Sequence, residues 1–207
     1  VHPLDLHHSG NPASHPELLD ELAREFAEHE FDIKFLLREI ALSGAYQRSS
    51  VLPAGAKEPP HAKSFAVALE RRLSAEQLLQ SVIVATGAEA KAADALRPKF
   101  VKAFANQPRE PEDEVQPSLR AALFVLHDPA VLGLLEAKPG ALVSRAAAIS
   151  DAEATDALYL ALLCRAPSAT ERAAVAKVLA KHADTRTEAL GRVAWALLAS
   201  MEFGINH

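Results

Sequence analysis

Apolar residues recur along this chain every three or four positions, the spacing of helices that bury one face. Leu18, Leu19, Leu22, Ala23 and Phe26 form one such stripe, and Ile33, Leu36, Leu37, Ile40 and Ala41 a second. Leu78, Leu79, Val82 and Ile83 form a third, which Gly87 should end as a left-handed C′ residue. Residues 117–127 and 129–137 read as two helices jointed at Asp128-Pro129, an N-cap followed by a first-turn proline. The run Leu158 to Leu163 is apolar on all faces and predicts a central helix. Val175, Val178 and Leu179 line the next helix. Leu190, Val193, Ala194, Leu197, Leu198 and Met201 line the last, with Trp195 to the side and expected to be largely buried. The helices of Leu158 and of Val175 are the expected partners of that last one, because short links favour antiparallel neighbours.

The helix starts carry their own signal. Ser14, Ser74, Ser150, Ser168 and Thr185 are each followed three residues later by Glu or Gln. That is the capping box, in which hydroxyl and carboxyl side chains satisfy reciprocal backbone N–H groups. Asp32 is a further N-cap. No useful run of strand alternation appears. The fold class is therefore all-α, an irregular multi-helix bundle with long Pro-rich loops.

Two stretches interrupt the pattern. Ser49 to Lys63 holds Pro53, Gly55, Pro59 and Pro60 and reads as a long loop. NQPREPEDEVQP, residues 106–117, is acidic, rich in proline and poor in large apolar groups. The expected organisation is residues 1–10 as a linker or the tail of a preceding domain, 11–105 as an N-terminal helical part, 106–117 as an acidic loop and 118–207 as a C-terminal bundle.

Composition supports helices. Hydrophobic residues make up 49 % of the 207, while aromatics reach only 5 %, so a core must come from aliphatic helix faces. The net charge of −5 comes with scattered basic residues, which argues against nucleic acid as a partner. The most apolar stretch, LRAALFVLHDPAVLGLL, is broken by charges and proline and predicts no membrane span. The lone cysteine, Cys164, can build neither a disulfide framework nor a Cys-x-x-Cys site, and is expected to be a buried, inert thiol.

Candidate chemistry is sparse. His2, His7, His8 and His15, with Asp5, form the most site-like cluster, but lack the i, i+4 spacing of a helical metal pair. Glu28-His29-Glu30 has no second histidine four residues on, since residue 33 is Ile. His127 and His182 sit at expected helix ends. Arg71, Arg72 and Glu76 suggest an anion or partner contact, or more plainly a salt-bridged helix entry with Arg72 and Glu76 four residues apart. The sequence supplies no nucleophile motif, phosphate loop or dinucleotide fingerprint, hence no catalytic residue, cofactor or metal ligand. His15, Arg71, Arg72 and Glu76 remain as interaction candidates.

Several blocks together carry a resemblance. NPASHPELLDELAREF followed by FLLREIALSGAYQRSS resembles the start of the uncharacterised C-terminal domain of planctomycete-type multidomain proteins. ERRLSAEQLLQSVIVATG is similar to that family's arginine-rich helix. KFVKAFANQPRE, ALFVLHDP, LYLALLCRAPSATE and WALLASMEFGINH resemble its later blocks in the right order, so the similarity runs from Val1 to His207. The matching positions include Asn11, Pro12, His15, Pro16, Glu17, Arg71, Arg72 and Glu76. Two positions depart from the family: Leu79-Gln80 stands where members carry Arg-Asp, and Pro111 to Glu114 where one branch has Cys-x-Cys.

The resemblance implies a module of a larger, extracytoplasmic protein, with VHPLDLHHSG as the tail of a preceding domain and a cytochrome-c-like module often found nearer the N-terminus. It implies no activity. The leading expectation is a non-catalytic module that docks a preceding domain of the same protein or another protein. The alternatives are part of an enzyme whose site is shared with an N-terminal neighbour, and a metal-binding fragment using the histidines.

Overall fold

The computed structural model describes residues 12–50, 52, 55, 60, 64–68, 70–104 and 119–206. His2, Asp5, His7, His8, the acidic stretch 106–117 and most of the 49–63 loop lie outside them. The described residues form ten α-helices and a single two-stranded sheet, an all-α fold. The chain divides into two compact units between Glu70 and Arg71.

The first unit holds α1 (Pro16–Glu28) and α2 (Ile33–Leu42), which pack against each other. Asp32 caps α2 as expected, its carboxylate accepting from the N–H of Lys34 and of Phe35. Ser14 does not cap α1. The N-cap is His15, with no side-chain cap bond, and Pro16 opens the helix. The box fails because Ser14 stands one residue too early, and its hydroxyl lies 3.1 Å from His15 Nδ1 instead.

The α1–α2 joint turns through Glu30 and Phe31, both with positive φ, 53° and 61°. That is an unusual conformation for a bulky residue. Ring contacts hold it: Phe26 meets Phe31 edge-on at 5.4 Å, and His29 stacks on Phe35 at 3.6 Å. Further along, Arg48 donates to the Ala66 carbonyl at 2.8 Å.

The second unit is the bundle. It comprises β1 (Arg71–Arg72), α3 (Ala75–Thr86), α4 (Ala90–Phe104), α5 (Leu119–His127), α6 (Pro129–Leu132), α7 (Leu142–Ala147), α8 (Asp151–Leu163), α9 (Ala169–Lys181), α10 (Arg186–Leu198) and β2 (Ile205–Asn206). Short 3₁₀ turns follow α6, precede α10 and precede β2. The boxes of Ser74, Ser150 and Ser168 form in full. Gly87 ends α3 at φ 71°, and a Cβ there would also crowd the Gly140 carbonyl at 3.3 Å. Asp128 caps α6 and takes Lys99 Nζ at 3.0 Å, tying α4 to the α5–α6 joint. Burial pushes its carboxyl up, but Lys99 and the Ala130 N–H outweigh that and hold it below its ordinary value.

The core gathers Leu79 and Val82 of α3, Phe100 of α4, Val131, Val143, Leu158, Leu179 and Leu190. Helix α8 is central, contacting α3, α7, α9 and α10. Its apolar character is not uniform in use, however, since Leu160 is 55 % exposed. Val178 and Met201 are also exposed, so the α9 and α10 stripes are narrower than the sequence suggests. Trp195 is only half-buried, although its Nε1 is buried without a partner. Helix α10 packs on α8 and α9 as expected, and additionally on α7.

Three further expectations need correction. Arg71 and Arg72 are a strand, not a helix entry: they pair antiparallel with Asn206 and Ile205, and a segment held by a partner ladder cannot join α3. Thr185 stands at the start of α10, but its side chain makes no cap bond, because a preceding 3₁₀ turn occupies residues 183–185. Cys164 is exposed, having left α8 in a left-handed conformation at φ 55°.

Candidate interaction surface

His15 is exposed at the start of α1, its ring 5.5 Å from Phe65. Arg71 is exposed on β1. Arg72 is half-buried, its guanidinium 5.8 Å over the Phe104 ring. Glu76 lies in the first turn of α3 and pairs with Arg97 at 3.2 Å, not with Arg72. Chain proximity thus places Arg71, Arg72 and Glu76 at one end of α3, but the acid is turned to α4 and both Arg71 and Glu76 face solvent. Among the described residues, no group of three or more His, Cys, Asp or Glu could hold a metal ion.

The features that stand out are apolar. Neither α1 nor α2 contains a buried residue. Leu22, Phe26, Phe35, Leu36 and Ile40 are the half-buried apolar side chains of the two helices. Leu18, Leu19, Ile33, Leu37 and Leu42 are at least half exposed, as are Phe31 and Tyr46. Single exposed apolar side chains are ordinary, whereas a cluster on two neighbouring helices is not.

Charge divides the two helices. Helix α1 carries Glu17, Asp20, Glu21, Glu25 and Glu28 against Arg24, and α2 carries Lys34 and Arg38 against Glu39. Arg24 is engaged by Glu21, Glu25 and Glu28, and the Glu21 and Glu28 bonds hold it protonated still more firmly than usual. Glu17, Asp20, Lys34 and Arg38 make no side-chain ion pair among the described residues.

Two features of the second unit escape sequence reasoning. A shallow groove of about 460 Å³ lies between α10 and the turn after α6, lined by Leu132, Leu135, Ala137, Gly191 and Trp195. Helix and turn can approach there because residue 191 lacks a Cβ, which would sit 3.3 Å from the Leu135 carbonyl. The second feature is Arg165. It grips Glu171 of α9 at 2.8 and 3.0 Å and Glu202 near the C-terminal turn at 2.5 and 2.9 Å, with the Tyr159 ring 5.5 Å away. The Arg165 bonds, then those from Ser168, bring the Glu171 carboxyl down to about 2. Burial, helped by the Glu171 charge, pushes the Tyr159 hydroxyl up. The Glu171 box was visible locally; Glu202 is 37 residues from Arg165 and gave no local sign.

A family profile described as PSD1, protein of unknown function (DUF1553), matches residues 2–121. The chain belongs to the DUF1553 family. No curated protein and no solved structure matches it. The DUF1553 match takes in α1 to α4 and the first residues of α5, and so includes residues from both compact units. His15, Arg71, Arg72, Glu76 and the apolar faces of α1 and α2 all fall inside it. The Arg165 grip and the α10 groove fall outside.

Proposed function

We propose that this chain is a docking module of a larger, extracytoplasmic protein of planctomycete type, joining it to a neighbouring domain or to another protein. The observation that carries the reading is the lack of any buried residue in α1 and α2 despite an apolar stripe on each. Helices of 13 and 10 residues are marginal in water by themselves and draw their stability from packing. Uncovered stripes are therefore favourable to cover, and each large side chain removed from water contributes roughly 1.5–3 kcal/mol. The exposed positions of Arg71 and Glu76, and the engagement of Glu76 by Arg97, offer no support to a shared catalytic site.

The test places a charge in each stripe, Leu19→Glu and Leu37→Glu, and follows the fluorescence of an apolar dye. The expected result is a folded protein with an unchanged melting temperature and weaker dye binding. A parent protein that binds no dye, with the amides of both helices deeply protected from hydrogen exchange, would refute the reading.

A further inference from the structure

We infer that the C-terminal turn of the second unit is a strap, latched by Arg165 and Glu202, that opens together with the entry strand β1 while the helices of the bundle stay folded.

The strap runs as a 3₁₀ turn, Glu202–Gly204, into β2, Ile205–Asn206. Neither piece is stable by local means. A 3₁₀ turn has poor hydrogen-bond geometry, and a two-stranded ladder persists only with other packing. Here each strand has two residues. Met201, just before the turn, is exposed, whereas Leu197 and Leu198 at the end of α10 are buried. The change from bundle to strap is therefore abrupt.

Phe203 and Glu202 fasten the strap to the bundle. Phe203 is buried in the core, and the turn contacts α8 and α10. Glu202 accepts from Arg165 Nε at 2.5 Å and from Nη2 at 2.9 Å, a two-point grip that fixes direction as well as distance. The arginine is itself held by Glu171 of α9 at 2.8 and 3.0 Å. Both latch side chains are partly open to water. Water can replace such a pair, so the latch holds the strap far less firmly than burial holds the helices.

What the strap holds lies at the other end of the unit. Strand β2 pairs with β1, Arg71 opposite Asn206 and Arg72 opposite Ile205. The Leu73 N–H donates to the Gly204 carbonyl at 2.9 Å. One short turn thus carries both the Arg165 grip, at Glu202, and the acceptor for Leu73, at Gly204. When the turn lifts, the ladder and the Leu73 bond go with it. Arg72 keeps its guanidinium 5.8 Å over the Phe104 ring, but that contact ties a side chain and supplies no acceptor for a backbone N–H. Arg165 is therefore a positioning residue for β1, the strand through which the chain enters the second unit. A partner that binds the freed strand or the freed terminus would draw on this equilibrium.

Native-state hydrogen exchange on the full chain tests this, with urea raised in steps below the unfolding midpoint. The Leu73 and Gly204 amides should exchange faster than those of Leu162 in α8 and Ala194 in α10. Their rates should depend little on urea, because lifting the strap exposes little surface, while the helix amides should speed up steeply. Glu202→Gln keeps the size of the side chain and removes its charge. It should speed the Leu73 and Gly204 amides by the same several-fold factor. Shared acceleration is the mark of a single opening, whereas a role confined to the turn would move Gly204 and leave Leu73 untouched. Three results overturn the inference: a Leu73 amide with the urea dependence of α10, one that stays unchanged or departs from Gly204 in Glu202→Gln, or one as unprotected as in an unfolded chain.

Discussion

Helices α2 and α10 are written in the same grammar and meet opposite fates. Ile33, Leu36, Leu37 and Ile40 repeat at the spacing of Leu190, Val193, Ala194 and Leu197. In α10 all four are buried; in α2 none is. The bundle supplies α10 with α7, α8 and α9 as cover, whereas α2 packs on α1. Periodicity reports which face of a helix seeks cover. It does not report whether that face is buried, and the difference between the two helices is the difference between a core face and an exposed one.

The comparison can be broken most sharply by truncating one leucine on each side. Leu190 has no exposed surface, and Leu190→Ala should cost about 2–5 kcal/mol, from lost transfer energy and the cavity left behind. Leu37 is 60 % exposed, and Leu37→Ala should stay within about 0.5 kcal/mol when measured in dilute solution. Denaturant midpoints of the two variants give the answer. Similar losses in both would mean that α2 is as deeply packed as α10, and the contrast would collapse.

What the sequence reveals divides by range. The boxes of Ser74, Ser150 and Ser168, the Asp32 cap and the left-handed Gly87 need only three or four neighbouring residues, and all are as expected. Arg71 and Arg72 were misread because their ladder partners, Asn206 and Ile205, lie at the far end of the unit. Leu160, Val178 and Met201 are exposed although the apolar pattern includes them, since periodicity does not report which side of a helix its neighbours cover. Cys164 follows a fully apolar run but leaves the helix in a left-handed turn that carries it to the surface. His15 was legible as part of a helix start, although as the cap position itself. The α1–α2 face was half legible: both stripes were plain, and their exposure was a tertiary fact.

A second, smaller effect concerns how the bundle holds its C-terminal turn. Arg165 joins α9 to the turn through Glu171 and Glu202. The Glu171 carboxyl lies at about 2 in the folded protein against an ordinary value of 4.5. A carboxyl lowered by folding adds stability above its unfolded value, and that contribution disappears as pH falls through the folded one. The parent should therefore lose this increment between pH 4.5 and about 2. Arg165→Gln removes the largest of the bonds that lower Glu171, so it should melt earlier at neutral pH. The gap between variant and parent should narrow on acidification through that window. A gap independent of pH would assign the loss to packing against Tyr159 in place of the carboxylates.

The smallest contrast lies between capping sequences that read alike. Ser150 and Ser14 both precede a Glu at the third following position. Ser150 accepts from the Glu153 N–H, while Glu153 accepts from the Ser150 N–H and hydroxyl, bonds that lower the Glu153 carboxyl below its ordinary value. Ser14 makes no cap bond, because Pro16 begins the helix and leaves His15 at the cap. Thr185 occupies a cap position but makes no side-chain bond. Removing a working N-cap costs about 1 kcal/mol, so Ser150→Ala should lower stability by that amount. Ser14→Ala and Thr185→Ala, with no cap bond to lose, should each stay within about 0.5 kcal/mol. Urea midpoints with unchanged slopes would measure all three. A loss at Thr185 equal to that at Ser150 would show that the hydroxyl does cap α10 in solution, and that the box there is as functional as its sequence implies.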